Sequence, residues 1–327
     1  MDFGKQSQSP DYSQPALSVV IVSFNSKDDL RNCLNSLLSE QVPMEIWVVD
    51  NASSDGTQQM LQTEFRDIAI KVICNSKNIG FAPACNQPLS LCAGRYILFL
   101  NPDTIVKPGS IRLMVDLLDS DPSIGVVGPR LMYPDGSHQY SYGPDWSILQ
   151  IILWHLIPLR LREYLQAFWL KKSRRWYTAR EVDWVSGACL AIRRDLALKL
   201  GGFDSKIFLS LADCGDLCLR ARKMGYRVMF YPKAEVIHLS GQSYKSAEAR
   251  PDALFRAYQG FLYYSKKHHG QVSVILLRML FALISFLKAI GGGLMSLFQR
   301  DPYRAKARAH LIVALKLIYY SDYLNVK

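Results

Sequence analysis

The chain has 327 residues, 49% of them hydrophobic, with 39 Lys and Arg against 28 Asp and Glu for a net charge of +11. That composition buries a sizeable core and excludes a disordered polyelectrolyte, and the length fits one large α/β domain with an added helical part, or two domains. Residues 245–327 carry +9 and residues 146–180 carry +6, leaving the remainder at −4, and because both basic segments are interleaved with aliphatic runs they argue against a nucleic acid and for an anionic membrane surface.

Residues 1–16 are polar and lack the basic-then-apolar order of a signal peptide. They are predicted to be a disordered lead-in to a cytoplasmic protein. Seven cysteines with no C-x-x-C pair read as buried, reduced thiols.

Leu17 to Val22 is a buried strand closed by Ser23, Phe24, Asn25 and Ser26. Leu30, Cys33, Leu34, Leu37 and Leu38 then repeat at helical spacing, completing a first βα unit. Its turn has no G-x-G-x-x-G, which argues against a dinucleotide-binding Rossmann domain. A second strand, Glu45 to Val49, ends at Asp50 in a run of Asp, Asn and Ser that would also serve as a simple turn and helix cap. A third, Ile68 to Cys74, leads through Asn78 to Gly80, where a helix start permits close approach of a phosphate; that helix runs through Asn86 and Leu91.

Tyr96 to Leu100 is an uncharged apolar run, predicted as a strand buried on both faces. It stops at Asn101-Pro102 because proline cannot continue a central strand, leaving Asp103 at its carboxyl end. Ligands of open α/β sheets bind along that edge. If the strands are parallel, Asp50 and Asp103 meet there, one accepting from a base or ribose and the other facing a diphosphate through a cation. A helix over Gly109 to Ser120 and a strand over Ile124 to Gly128 follow.

Two greasy, basic stretches come later. Ile148 to Leu159 is uncharged and is followed by Arg160, Arg162, Lys171, Lys172, Arg174 and Arg175; it is too short to span a bilayer and reads as an interfacial helix or part of an acceptor pocket. Val272 to Phe298 is long enough to span, yet Arg278, Ser285 and Lys288 fall on one helical face. That pattern favours a helix lying in the membrane surface, with packing on a partner subunit as the alternative.

The motifs L-S-V-V-I-V-S-F-N, V-V-D-N-A-S-S-D-G-T, N-x-G-F-A-x-A-C-N and Y-I-L-F-L-N-P-D-T, in this order, resemble the nucleotide-sugar half of family 2 glycosyltransferases, closest to the bacterial rhamnosyltransferase-like branch. V-D-W-V-S-G-A-C-L-A-I-R-R, G-G-F-D, V-I-H-L-S-G-Q-S and Y-Y-S-K-K-H-H-G extend the likeness over residues 17–270. It implies a GT-A fold: a mostly parallel, Rossmann-like central sheet flanked by helices. Residues 17–130 would form the nucleotide-sugar half and 131–245 the acceptor and catalytic half with its insert at 146–180; 246–327 would be helical and membrane-associated.

By the same resemblance Asp50 recognises the base, with Ser23 and Asn25 in its pocket and Asn78, Gly80 and Asn101 on the donor side. Asp103 ligates Mn²⁺ or Mg²⁺ on the diphosphate, and His238 lies near the diphosphate or the metal. Trp184 and Gly187 flank the acceptor, the indole serving as a sugar platform or as core. The catalytic base departs from the pattern, for Ala212 stands where the family has Glu and one residue is extra. Counting forward from Phe203-Asp204 gives Asp213, whereas counting back from Leu217-Cys218 matches Asp216 to the second acid of the motif; Asp213 is preferred, with Asp216 the second candidate.

The implied activity is inverting, metal-dependent transfer of rhamnose or a hexose from a dTDP- or UDP-linked donor to a saccharide or lipid-linked acceptor, at the inner face of the plasma membrane. The alternative is a catalytically weakened nucleotide-sugar-binding subunit or regulator of an assembly complex. A homo-oligomer stays open.

Overall fold

The computed structural model describes residues 15–157, 161, 164, 176–207, 212–239, 251–296 and 303–319. Most of the predicted lead-in, the insert's Arg160, Arg162, Lys171, Lys172, Arg174 and Arg175, and Gly241 and Ser243 lie outside the described residues. Ala16 is already tied in, its N–H donating to Pro43 and its carbonyl accepting from Tyr96.

The first half alternates strand and helix: β1 (Leu17–Ser23), α1 (Lys27–Leu38), β2 (Met44–Asp50), α2 (Thr57–Glu64), β3 (Ile70–Cys74), α3 (Phe81–Asn86), β4 (Tyr96–Leu100), β5 (Thr104–Val106), α4 (Ser110–Ser120) and β6 (Ile124–Met132). The second half runs β7 (Tyr142–Gly143), α5 (Ile148–Leu156), β8 (Arg180–Glu181), β9 (Trp184–Val185), β10 (Cys189–Arg193), α6 (Arg194–Leu200), α7 (Ala212–Lys223) and β11 (Arg227–His238). Three helices close the chain: α8 (Pro251–His269), α9 (Gln271–Met295) and α10 (Tyr303–Tyr319).

The main sheet has the order β3-β2-β1-β4-β10-β6-β11-β5, with β8 added beside β11. The predicted parallel arrangement holds over β3-β2-β1-β4. Beyond it the sheet is mixed, because β10 enters antiparallel between β4 and β6, and β5 and β8 both pair antiparallel with β11. Alternation along β1 sends Val20 and Val22 to one core and Val19 and Ile21 to the other. The second core lies under α1, α2 and α4 (Leu34, Leu61, Leu118); the first continues through α7 into the C-terminal helices by way of Leu217, Tyr258, Phe281 and Val313. The closing helices are therefore packed into the body of the protein. Six of the seven thiols are buried as expected; Cys74 is exposed because β3 is an edge strand.

The three polar residues grouped on one face of α9 do not share one environment: Lys288 is exposed, whereas Arg278 and Ser285 turn toward the protein. Ser285 is fully buried, and the Arg278 guanidinium donates to the carbonyls of Leu317 and Ile318, satisfying the end of α10 where the helix dipole favours a cation. What α9 presents outward is apolar, including Ile275, Leu276, Met279, Leu283 and Leu287. Among the described residues it is the one helix long and apolar enough to cross a membrane.

Candidate active site

Parallel pairing brings the first two predicted acids to one edge. Ser23 is opposite Asp50 across β1 and β2, and Ile21 is opposite Leu100 across β1 and β4, so Asp50 and the Asn101–Asp103 turn leave the sheet together. Asp50 is fully buried. Its Oδ2 accepts from Gln58 Nε2 at 2.6 Å and from the Ser53 N–H at 3.3 Å, while Oδ1 has no hydrogen-bond partner. A buried carboxylate oxygen left open is costly unless a ligand completes it.

The loops after the parallel strands are stitched by short polar side chains. Asn25, at φ 50°, accepts from the Ser54 N–H at 2.8 Å, and its own N–H donates to Ser53 Oγ at 2.9 Å. Asn51 donates to Asn78 Oδ1 and to the Gly80 carbonyl, and accepts from Asn75 and from the Ile79 N–H. Gly80 sits at φ 94°, which a side chain would strain, and so delivers its N–H to Asn78 Oδ1 at 2.9 Å while opening α3. Ser23 has no exposed surface and spends its hydroxyl on Ser26. It anchors this loop, whereas Asn25 and Asn78 stand exposed beside it.

Asp103 is partly open to solvent, and its Oδ1 lies 3.2 Å from His238 Nε2. The far ring nitrogen is 2.9 Å from Gln139 Oε1, and the Asn101 amide is 3.4 Å from Nε2. β11 brings His238 there by pairing it with Thr104, one residue beyond Asp103. No group of three or more His, Cys, Asp or Glu that could hold a metal exists among the described residues. A carboxylate and an oriented imidazole form a donor pair that fits Mn²⁺, whereas Mg²⁺ would use the carboxylate alone, with substrate phosphates and water commonly filling the remaining positions. Asp29 was missed by sequence reading. Burial first, then the charges of Asp103 and Asp28, push its carboxyl above the usual range; adjacent acids at a helix start look like dipole compensation and give no other signal.

The two base candidates occupy different surroundings. Asp213 lies in the first turn of α7, nearly buried, its Oδ1 accepting from the Cys214 N–H at 2.5 Å. Burial pushes its pKa up to about 7, the charge of Asp216 adding to the rise and the Cys214 N–H opposing it. Asp216 is fully buried but bonded to Arg220 at 2.7 Å, Lys267 at 2.7 Å and His268 at 2.8 Å. Burial alone would raise it; His268, Arg220 and Lys267 together hold it down at about 2. Ala212 has no exposed surface at the start of the helix.

Gly187 lies in the link between β9 and β10, where a side-chain carbon would touch Cys214 Cβ at 3.6 Å. The Asn101 N–H donates to the neighbouring Ala188 carbonyl at 2.9 Å, so the Asn101–Asp103 turn and the start of α7 flank one short link. Trp184 offers no sugar platform. It is fully buried, stacked on Trp146 at 5.3 Å, edge-on to Tyr140 at 5.2 Å, and donates to the Pro144 carbonyl at 2.7 Å. Of its two expected uses, core packing is the one present. Asn86 was overlooked as a bridge: its amide donates to the Phe203 carbonyl at 2.8 Å and accepts from the Phe203 N–H at 2.9 Å. Gly202, at φ 73°, leaves that amide its space.

Comparison with known proteins gives concordant results. Residues 18–199 match the model of glycosyl transferase family 2. The N-acetylglucosaminyl-diphospho-decaprenol L-rhamnosyltransferase of Mycobacterium tuberculosis is 30% identical over 249 residues, covering 69% of this chain and 77% of that one. Among solved structures, the mannosyltransferase PcManGT of Pyrobaculum calidifontis, in complex with GDP-Man and Mn²⁺, superposes with a TM-score of 0.56 at 17% identity over 95% of this chain and 89% of that one. TarS of S. aureus gives a TM-score of 0.50 at 16% identity, covering 93% and 92%. At such identities the two structures speak for the fold, which is GT-A.

Proposed function

The chain belongs to glycosyl transferase family 2, and from that premise we propose that it moves a sugar, rhamnose being the first candidate, from a nucleoside diphosphate to a hydroxyl of a lipid-linked acceptor with inversion at the anomeric carbon. Asp50 receives the base through its open Oδ1. Asp103 and His238 would hold Mn²⁺ or Mg²⁺, which when bound offsets the charge gathering on the departing diphosphate. Asn25, Asn78 and Gly80 shape the loops around the donor, and Gly187 leaves room on the acceptor side. Asp213, ionised, takes the proton from the acceptor hydroxyl as its oxygen attacks the face opposite the leaving group.

The observation that carries this reading is the short link at Ala188, which bonds Asn101 on one side and borders Cys214 on the other. The turn that carries Asp103 and the start of the helix that carries Asp213 thus border the same link, which supports assigning the two acids to one site. The acceptor class comes from the mycobacterial relative, whose name specifies a decaprenol-linked substrate. The outward apolar face of α9, with exposed Lys288 beside it, supports a seat on an anionic membrane surface.

Thermal unfolding with dTDP-rhamnose or UDP-glucose, with Mn²⁺ or with EDTA, tests donor and metal together. One donor with Mn²⁺ is expected to raise stability by about 2.7 kcal/mol at a hundredfold excess over its dissociation constant, and Asp103→Asn is expected to abolish the Mn²⁺ dependence. Turnover is then measured with N-acetylglucosaminyl-diphospho-decaprenol. Stabilisation without turnover would make the chain a donor-binding subunit, and equal stabilisation of Asp103→Asn would remove Asp103 from the metal.

A further inference from the structure

Asp216 sits where three separate pieces of chain meet. Its Oδ2 takes Arg220 from its own helix, and Arg220 also donates to the carbonyls of Leu200 and Gly202, both at 2.8 Å. Its Oδ1 takes Lys267 and His268 from the last turn of α8. Lys267 continues to Asp204 at 2.7 Å, and the other ring nitrogen of His268 is 3.3 Å from Lys223 Nζ. A second set of ties runs parallel to the first: Tyr264 donates to Asp145 at 2.8 Å, and Arg222 of α7 pairs with Asp183 at 2.9 Å and Asp145 at 3.5 Å.

We propose that Lys267 and His268 are positioning residues for sugar transfer: by gripping Asp216 they fix the first turn of α7, and with it the carboxyl of Asp213, against the donor edge. The inference rests on Asp213 being the base, and it adds a task for the C-terminal helices beyond seating the protein. Its physical ground is that a fully buried carboxylate with several cations gives little net stability over well-packed apolar side chains. What such a cluster supplies, and greasy packing does not, is a fixed direction and depth. Asp213 and Asp216 are three residues apart on α7 and therefore on adjacent turns of one face. A shift of the helix that loosened Asp216 from α8 would move Asp213 by a similar amount. Displacement of a reacting group by about 1 Å can cost a hundredfold in rate.

The test uses the full chain, dTDP-rhamnose and N-acetylglucosaminyl-diphospho-decaprenol. Lys267→Met and His268→Leu are each expected to lower kcat by about tenfold or more, with KM for the donor and thermal stabilisation by dTDP-rhamnose changed less than about twofold. Lys267→Arg and His268→Gln, which keep a donor for Asp216, are expected to restore kcat to within about threefold. In an Asp213→Asn background Lys267→Met should add no further loss, because the residue acts through a group already gone. A kcat unaffected by Lys267→Met and His268→Leu, donor KM rising in step with the loss, or the same fold-loss in both backgrounds would each overturn the proposal while leaving the transferase reading intact. Absence of turnover by the unmodified chain with every donor would overturn both.

Discussion

The proposed donor edge and the proposed acceptor side of this protein are tied together by largely different kinds of bond. Around the proposed donor edge the ties that join the loops after neighbouring parallel strands are neutral, between amides, hydroxyls and backbone groups: Asn25 to Ser53 and Ser54, Asn51 to Asn78 and Gly80. On the acceptor side the ties are charged, and they cross long stretches of sequence, as when Asp216 meets Lys267 and His268 or Arg222 meets Asp183. A neutral hydrogen bond contributes about 1 kcal/mol and its loss is often tolerated. A buried charge stripped of one partner costs about 3–5 kcal/mol. Donor binding should therefore survive changes that halt turnover, and the two activities are separable by mutation.

Asp213→Asn gives the largest expected effect. Turnover should fall about 10²- to 10⁴-fold while stabilisation by donor is kept. In the unmodified chain the rate should rise with pH through about 7, where burial has moved this carboxyl, because the base works ionised. The stability effect has the opposite sign. A folded-state pKa above the unfolded one means that the folded chain keeps a proton the unfolded chain has lost, so stability falls as pH climbs from about 4 to about 7. Asparagine removes that penalty and should stabilise the protein at pH 8 by roughly 2–4 kcal/mol. A variant that is both inactive and less stable at pH 8 would contradict the assignment of a poised, buried base.

A smaller effect is expected at the seam between the two regions. Asn86→Ala removes both hydrogen bonds to the Phe203 backbone, leaving that N–H and carbonyl without their amide partner. The cost should be roughly 1–3 kcal/mol by denaturant unfolding. Because Phe203 belongs to the segment that Arg220 also anchors through Gly202, kcat should drop more than donor affinity. Loss of donor affinity with kcat preserved would place Asn86 with the donor edge instead.

The same contrast explains what could be read from the sequence. Asp50 and Asp103 were legible because strand alternation and a strand-ending proline are local signals, and parallel pairing then carries both to one edge. The clamp on Asp216 was not, since His268 lies 52 residues further along and its motif gives no hint of which acid it meets. Entry of β10 between β4 and β6 was hidden for the same reason: strand order is set by tertiary packing, and a four-residue apolar run closed by Arg193 fits any central position. Trp184 could be core or platform on composition, and only the stacked Trp146 decides it. Spacing grouped Arg278, Ser285 and Lys288 on one side of α9, but Ser285 is buried and Lys288 exposed, a division set by how α9 packs on α8 and α10.

The outward apolar face of α9 yields the smallest effect and tests whether the C-terminal helices carry a role beyond the proposed positioning of α7. Leu283 is 54% exposed on the outward face, in a helix whose opposite face is packed against the body by Val274, Leu277 and Phe281. Full burial of a leucine is worth about 1.5–3 kcal/mol. Only about half of that area remains to be covered, so Leu283→Ala should weaken sedimentation with phosphatidylserine-containing vesicles by about fivefold and leave the unfolding midpoint nearly unchanged. Raising salt should weaken binding of the unmodified chain further, since the surrounding Lys and Arg each contribute about 1 kcal/mol of attraction to anionic lipid. Turnover of a detergent-solubilised acceptor should be unaffected, because Leu283 points away from the Asp216 clamp. Vesicle binding that ignores both the substitution and salt, together with a concentration-dependent change in sedimentation coefficient that Leu283→Ala removes, would assign this face to a second copy of the chain.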